Sequence, residues 1–218
     1  MKPAPKTVLR LLASICLTLS LFAIFAAPVS AQHNQAATGR FQLTSSTFTD
    51  KGTMPISTIN NIVQNGVNVC SIDGSAGGNE SPELAWTNAP ARTQSFAVVT
   101  YDVTAAFTHW GMYNISATTT ELPQNAGVPG STYGSQIVND FLTGAEYDGP
   151  CPPAGIAPYV HHYVFTVYAL DTQLLVPGSK NFPANAETLY HALIRAGRFH
   201  HILASAKLTG FYSTTTRK

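Results

Sequence analysis

Two long runs of β-forming residues constrain the fold of this chain more than any other feature. Residues 95–101 form a continuous run of Phe, Val, Thr and Tyr with Ser and Ala, which predicts a buried strand. Residues 161–170, rich in Tyr, Val and Phe, give the strongest strand pattern of all. Shorter strand patterns, separated by turn-rich links, cover residues 41–48, 84–86, 109–115 and 207–213.

One helix is predicted near the C-terminus, over residues 184–206. Its apolar residues recur at helical spacing and form a single stripe: Leu189, Ala192, Leu193, Ala196, Phe199 and Leu203. Several short strands joined by turns, with one late helix, predict a mainly β fold. We expect a β-sandwich with peripheral helices, one of them C-terminal.

The N-terminal segment is typical of an export signal rather than of a fold. Lys2, Lys6 and Arg10 precede an apolar run over residues 11–27, and small residues at 29 and 31 fit a cleavage site. We therefore predict a signal peptide over residues 1–31, a flexible leader over 32–39, and a single domain over 40–214. The protein is expected outside the cytoplasm, periplasmic or secreted. A retained membrane anchor and a lipoprotein modified at Cys16 fit the sequence less well.

The charge of the remaining chain excludes some partners. Three of the 12 basic residues and none of the 11 acidic residues lie in the predicted signal, which leaves a formal charge of −2. Nucleic-acid binding needs a concentrated basic face, so it is not expected. No later apolar stretch is long enough to span a bilayer.

Two cysteines remain after the predicted signal, Cys70 and Cys151. Because exported proteins meet an oxidising environment, we expect these two to form a disulfide. Two buried free thiols are the alternative.

Three titratable residues lie at the ends of predicted strands. Asp102 follows one strand, while His109 and His161 begin two others. Strand ends that meet at one rim of a sandwich can bring such side chains into one pocket. Because side chains alternate along a strand, Tyr163 shares a face with His161, whereas His162 points the other way. Each residue also has a purely structural explanation. Asp102 could be a turn former, His109 a half-buried histidine, His161 a strand-edge histidine and Tyr163 a core aromatic.

A proline-rich loop precedes His161. Residues 149–155 contain Pro150, Pro152 and Pro153, whose rings fix φ and make the loop stiff. A stiff loop can form one wall of a binding site with little loss of entropy on binding.

These features together resemble the phosphatidylethanolamine-binding protein family, in its bacterial Raf-kinase-inhibitor-like branch (YbhB/YbcL). The resemblance covers nearly the whole chain after the predicted signal. It is carried by residues 41–48, 79–86, 95–102, 109–110 with 114–115, 139–140, 149–153 with 155, 161–171 and 203–212.

The resemblance implies an antiparallel β-sandwich with a pocket for phosphate-type head groups and other small anions. The first Asp of the family's D-P-D-x-P motif corresponds to Asp102, and the His of its H-W motif to His109. The His and Tyr of its H-R-Y motif correspond to His161 and Tyr163. Its proline loop supplies Pro152 and Pro153 as a wall of the site. Two imidazoles would donate hydrogen bonds to an anion, and Asp102 would orient a histidine.

Two departures from the family motifs bear on specificity. Thr104 stands where the motif has its second acid, and His162 stands where it has an Arg. The joint loss of an acid and a base indicates that the two pair in the family, since losing one alone would leave an unpaired charge. The rim of the pocket is therefore expected to differ.

The sequence predicts a non-enzymatic, cofactor-free binding protein for a small anionic ligand such as a phosphate-bearing head group. A first alternative is an inhibitor or interaction protein with a kinase or peptidase as its protein target. A second alternative is a metal-assisted hydrolase, since Asp and His are metal ligands, but no H-E-x-x-H spacing supports it. No G-x-S-x-G motif indicates a nucleophilic serine.

Overall fold

A computed structural model describes Met1 and residues 39–215 of the chain. The predicted signal peptide, apart from Met1, and residues 32–38 of the leader lie outside the described residues. The described part is mainly β. This agrees with the predicted fold class. The described part contains a six-stranded sheet, a three-stranded sheet and a two-stranded hairpin.

The six-stranded sheet is the centre of the fold. Its strands are β2 (Gly52–Thr53), β6 (Ser95–Asp102), β7 (Phe107–Ser116), β9 (Ser135–Gln136), β10 (His161–Leu170) and β11 (Ile202–Tyr212). The strand order is β2-β11-β10-β6-β7-β9, and all neighbours are antiparallel except β2 and β11.

A second, smaller sheet lies against one face of the first. Its order is β1-β5-β8, from β1 (Gln42–Thr44), β5 (Leu84–Thr87) and β8 (Glu121–Leu122). A hairpin of β3 (Val63–Gln64) and β4 (Val67–Asn68) completes the strands, and a short 3₁₀ turn spans Ile56–Thr58. The predicted strand over 41–48 is therefore only three residues long.

The six-stranded sheet is buried on both faces, which explains its uninterrupted apolar runs. On β6, Phe96 and Val98 pack into the core shared with the small sheet. The alternate residues Ala97 and Val99 pack on the other face, into a second core with the helix.

Helix α1 (Ala186–Arg198) covers that second face. Asn185 begins it with a capping box, because its side chain accepts from the Thr188 N–H while the Thr188 hydroxyl accepts from the Asn185 N–H. Leu189, Ala192, Leu193 and Ala196 form the buried stripe.

The predicted C-terminal end of this helix was wrong. The helix ends eight residues before residue 206, because His200 adopts a left-handed conformation (φ 59°) and the His201 N–H closes back on the Ala196 carbonyl. Residues from Ile202 onward instead pair with β10 along its whole length. Sheet pairing therefore outweighs the helical spacing of Phe199 and Leu203.

Among the described residues, the one α-helix is too short to cross a lipid bilayer.

Candidate functional site

The β6–β7 hairpin places Asp102 at its turn. Asp102 pairs with Phe107 in the strand register, and its Oδ1 accepts the backbone N–H of Thr104 at 2.8 Å and of Ala105 at 3.2 Å. The Asp102 carboxylate therefore stabilises the turn, which is the structural explanation considered for this residue above. These bonds also hold its second oxygen in a fixed position.

That second oxygen contacts His161. Strand β10 pairs with β6 so that Tyr163 lies opposite Asp102, which brings the nearby His161 ring to the same strand end. His161 Nδ1 lies 2.5 Å from Asp102 Oδ2, and the two side chains are 9% and 2% exposed. This is a buried, charge-assisted pair in which the carboxylate orients the imidazole.

His109 has a different partner. Its Nδ1 lies 2.7 Å from the backbone oxygen of Asp148. Because a carbonyl oxygen can only accept, Nδ1 must carry the proton. Burial lowers the pKa of His109, with partial opposition from the Asp148 carbonyl and from the charges of Asp102 and Asp148. The ring therefore remains neutral to lower pH than an exposed histidine would.

Aromatic rings enclose His109. The ring centroids of Phe107 and Tyr163 each lie 5.1 Å from that of His109, and the Phe141 centroid lies 5.4 Å away. Burial raises the pKa of the Tyr163 phenol, and the neighbouring Asp102 charge raises it further. Tyr163 therefore stays protonated and can donate a hydrogen bond.

All six residues predicted for the pocket line one cavity of about 200 Å³. Its lining consists of Asp102, Ala105, Phe107, His109, Phe141, Cys151, Pro152, Pro153, His161 and Tyr163. A larger cavity of about 470 Å³ lies beside Lys51 and Phe211, but no carboxylate or imidazole lines it. The smaller cavity is therefore the candidate site, because it is where titratable groups converge.

The proline loop is fixed at several points. The predicted disulfide between Cys70 and Cys151 is present, with 4.3 Å between the Cα atoms. The Pro152 carbonyl accepts a hydrogen bond from the Thr214 hydroxyl at 2.7 Å. On the other side of Cys151, the Gly149 N–H donates to Asn79 Oδ1 at 2.8 Å. These contacts hold Pro152 and Pro153 against the cavity.

Sequence reasoning missed the buried carboxylate of Asp148. The side chains of Asn60, Asn79, Asn139 and Thr143 donate to its two oxygens. Asp148 is 4% exposed, and its backbone oxygen holds His109. The one available signal was an acid directly before the proline loop, at the start of a stretch, residues 149–170, that has no Lys, Arg, Asp or Glu. Phe107 and Phe141 were also missed, since their sequence context is ordinary.

The two positions that depart from the family motifs are in contact. The His162 N–H donates to the Thr104 hydroxyl at 3.0 Å. The His162 ring points away from the cavity, as strand alternation predicted, and its centroid lies 4.5 Å from that of Phe211. No Lys or Arg among the described residues lines the cavity.

Comparison with known proteins identifies relatives for nearly all of the described part of the chain. The profile of the phosphatidylethanolamine-binding protein family matches residues 44–213. The UPF0098 protein YbcL of Escherichia coli is 38% identical over 147 residues, which are 64% of this chain and 74% of YbcL. The UPF0098 protein YbhB of the same organism is 37% identical over 150 residues, 64% of this chain and 85% of YbhB.

Solved structures agree with this assignment. The crystal structure of E. coli YbcL, described as a new member of the mammalian PEBP family, matches with a TM-score of 0.63 and 32% identity. The match covers 80% of this chain and 99% of that one. The PEBP homologue CT736 of Chlamydia trachomatis matches with a TM-score of 0.58 and 25% identity, over 80% and 97% of the two chains.

Proposed function

This chain belongs to the phosphatidylethanolamine-binding protein family, and on that basis we propose that it is an exported binding protein for phosphate-type head groups or similar small anions. One observation carries the proposal: Asp102, His109, His161, Tyr163 and the two loop prolines line the same small cavity. We propose that this cavity is the ligand site and that the protein performs no catalysis there.

The histidines supply the polar recognition. When protonated, the His161 imidazole, held by Asp102 at 2.5 Å, donates a charge-assisted hydrogen bond to a ligand oxygen. The ligand does not meet a bare carboxylate, because the Asp102 oxygens already contact His161 and two backbone N–H groups. Asp102 is thus a positioning residue for His161.

Exposed apolar side chains close in sequence to the cavity lining favour a head group attached to an apolar substituent. These side chains are Val103, Leu142, Ile156 and Tyr159. Residues 149–170 contain no Lys, Arg, Asp or Glu. An apolar substituent that leaves the cavity would meet side chains of matching polarity.

Export is supported by two observations. The N-terminal sequence has the pattern of a signal peptide. The disulfide between Cys70 and Cys151 is typical of proteins in oxidising compartments. A protease or thiol-labelling assay on fractionated cells would locate the protein.

Neither alternative function gains a specific observation. Within residues 39–215, no group of three or more His, Cys, Asp or Glu side chains is placed to hold a metal ion. The hydrolase alternative therefore has no ligand set to support it. No feature of the described surface points to a kinase or a peptidase as a partner.

Calorimetric titration with monomethyl phosphate at pH 5.5 tests the proposal. We expect His161→Ala to weaken binding by about tenfold or more, since it removes a charge-assisted hydrogen bond. His162→Ala is the matched control, one residue away on the opposite face, and should leave the affinity unchanged. Equal losses in the two variants, or no binding by the wild type at millimolar ligand, would contradict the proposal.

A further inference from the structure

The two imidazoles of the cavity are not equivalent. His161 faces a carboxylate through its Nδ1, whereas His109 faces an uncharged backbone carbonyl. Both rings are left with Nε2 for a ligand, since neither Nε2 has a hydrogen-bond partner within residues 39–215 and neither is sealed from the cavity. What each Nε2 offers depends on whether its ring is protonated.

His109 offers an acceptor. Its Nδ1–H is committed to the Asp148 carbonyl, so the Nε2 of the neutral ring carries a lone pair. The ring is 3% exposed, and that burial opposes the charged form. The acidic groups around it are Asp102 on β6 and Asp148 in the loop before β10, and neither carboxylate bonds to the ring.

His161 offers a donor. When the ring is protonated, the Asp102 carboxylate lies 2.5 Å from Nδ1 as its counter-ion, and Nε2–H is free to donate. No described Lys or Arg lines the cavity, so this imidazolium is the cation that a ligand meets there. Because the Asp102 carboxylate already neutralises this imidazolium, the pair carries no net charge, so the cavity accommodates a singly charged ligand more easily than a doubly charged one.

We propose that the cavity selects an oxyanion that retains one proton. The charged oxygen of the ligand accepts from His161 Nε2–H, and the O–H of the ligand donates to His109 Nε2. A phosphate monoester in its singly charged form has both groups. A fully deprotonated oxyanion would instead place an oxygen lone pair against the lone pair of His109. This inference rests on the proposed function, because it describes the same site.

A matched pair of ligands tests the selection directly. Monomethyl phosphate at pH 5.5 and methyl sulfate have the same shape and the same single charge, but only the phosphate ester keeps a hydroxyl. Calorimetric titration should show monomethyl phosphate binding about tenfold or more tightly, since methyl sulfate leaves a buried acceptor unpaired. Equal affinities for the two esters would overturn the inference and leave the proposed function standing.

The pH dependence of the two affinities distinguishes the loss of a proton by the ligand from the loss of a proton by the protein. Monomethyl phosphate loses its hydroxyl proton near pH 6 and becomes a dianion, whereas the charge of methyl sulfate does not change. Between pH 5.5 and pH 8 the affinity for monomethyl phosphate should therefore fall further than that for methyl sulfate, and its advantage should disappear. An advantage that persists unchanged at pH 8 would contradict the inference.

A variant provides the complementary test. In His109→Gln the amide can turn its N–H₂ toward the ligand, so a proton on the ligand is no longer needed. We expect the preference for monomethyl phosphate over methyl sulfate to fall to about twofold or less. Thermal unfolding of the variant would verify that it is folded. If neither ester binds wild-type protein at millimolar concentration, the proposed function itself fails, which is a distinct result from equal binding.

Discussion

Strand β10 has a histidine–carboxylate pair at each end, and the two pairs differ in almost every physical respect. At its first residue, His161 meets Asp102 at 2.5 Å with both side chains buried. Just beyond its last residue, Asp171 meets His201 at 2.9 Å, with exposed fractions of 18% and 46%. The second pair also has Arg92 nearby, 3.6 Å from the Asp171 carboxylate.

The difference between these two ends shows what makes a pair of titratable residues a candidate site. The exposed pair is screened by water and shared with an exposed arginine side chain, so it contributes little energy, and it lines neither of the two cavities described above. The buried pair adjoins a cavity walled by aromatic rings and prolines. We therefore expect ligand binding at the end of β10 where the charged side chains are desolvated and a cavity is enclosed.

The largest expected effect concerns the carboxylates of the two pairs. Asp102→Ala removes the partner of a buried imidazole and two hydrogen bonds of the β6–β7 turn, so it should lower the free energy of unfolding by about 3 kcal/mol or more. Asp171→Ala should cost at most about 1 kcal/mol, because exposed ion pairs are weak. Urea unfolding at pH 6 measures both. Similar losses would remove the distinction between the two ends.

The sequence predicted strand β10 and much of its neighbour β11, because the composition and length of a strand are local properties. β10 was predicted with its observed bounds. β11 was predicted to begin five residues too late and to end one residue too late, since the pairing of Ile202 with Leu170 is a tertiary contact that overrides the helical spacing of the preceding residues. The pocket side chains were inferred from strand ends and from family motifs, which carry information about distant contacts.

The parts of the site that sequence reasoning missed depend on contacts between distant segments. Asp148 is buried because amides from Asn60, Asn79 and Asn139 converge on it, and no local pattern records that convergence. The difference between the two imidazoles was missed for the same reason. Which partner holds each Nδ1 is decided by loops that meet only in the folded chain.

The disulfide sharpens the comparison, because it ties the proline loop, which precedes the cavity end of β10, to Cys70, just after the β3–β4 hairpin. Its cysteines are separated by 81 positions, so it closes a long loop. Replacing both cysteines with serine should lower the free energy of unfolding by about 2–4 kcal/mol. Affinity for monomethyl phosphate should also decrease, since Pro152 and Pro153 lose their anchor. An unchanged affinity in a destabilised variant would show that the loop is held by its hydrogen bonds alone.

The pH dependence of stability should separate His109 from His201. Burial lowers the pKa of His109 in the folded state below its ordinary value near 6.5, so the unfolded chain binds more protons as the pH falls. This histidine therefore favours folding above pH 6.5, and its contribution is lost below that value, by up to about 1.4 kcal/mol per pH unit.

Urea unfolding between pH 7 and pH 5 measures this slope. His109→Gln should make the loss of stability on acidification less steep, since glutamine does not titrate. His201→Gln is the control at the other end of β10 and removes an exposed, carboxylate-paired histidine. A wild-type slope retained in His109→Gln would mean that His109 is not the buried, neutral group described above.

The smallest expected effect concerns two exposed leucines of nearly equal exposure. Leu142, at 78%, follows the cavity residue Phe141, whereas Leu175, at 76%, lies beyond the far end of β10. If an apolar substituent of the ligand leaves the cavity past Leu142, then Leu142→Gln should weaken octyl phosphate by about fivefold, or about 1 kcal/mol of apolar contact. Monomethyl phosphate has no such substituent and should bind equally well to both proteins. Leu175→Gln should change neither affinity.

Because all three proteins keep the same charge, a loss confined to octyl phosphate and to Leu142→Gln would identify the surface around Leu142 as the place where the substituent lies. Equal octyl phosphate affinity in all three would restrict recognition to the head group.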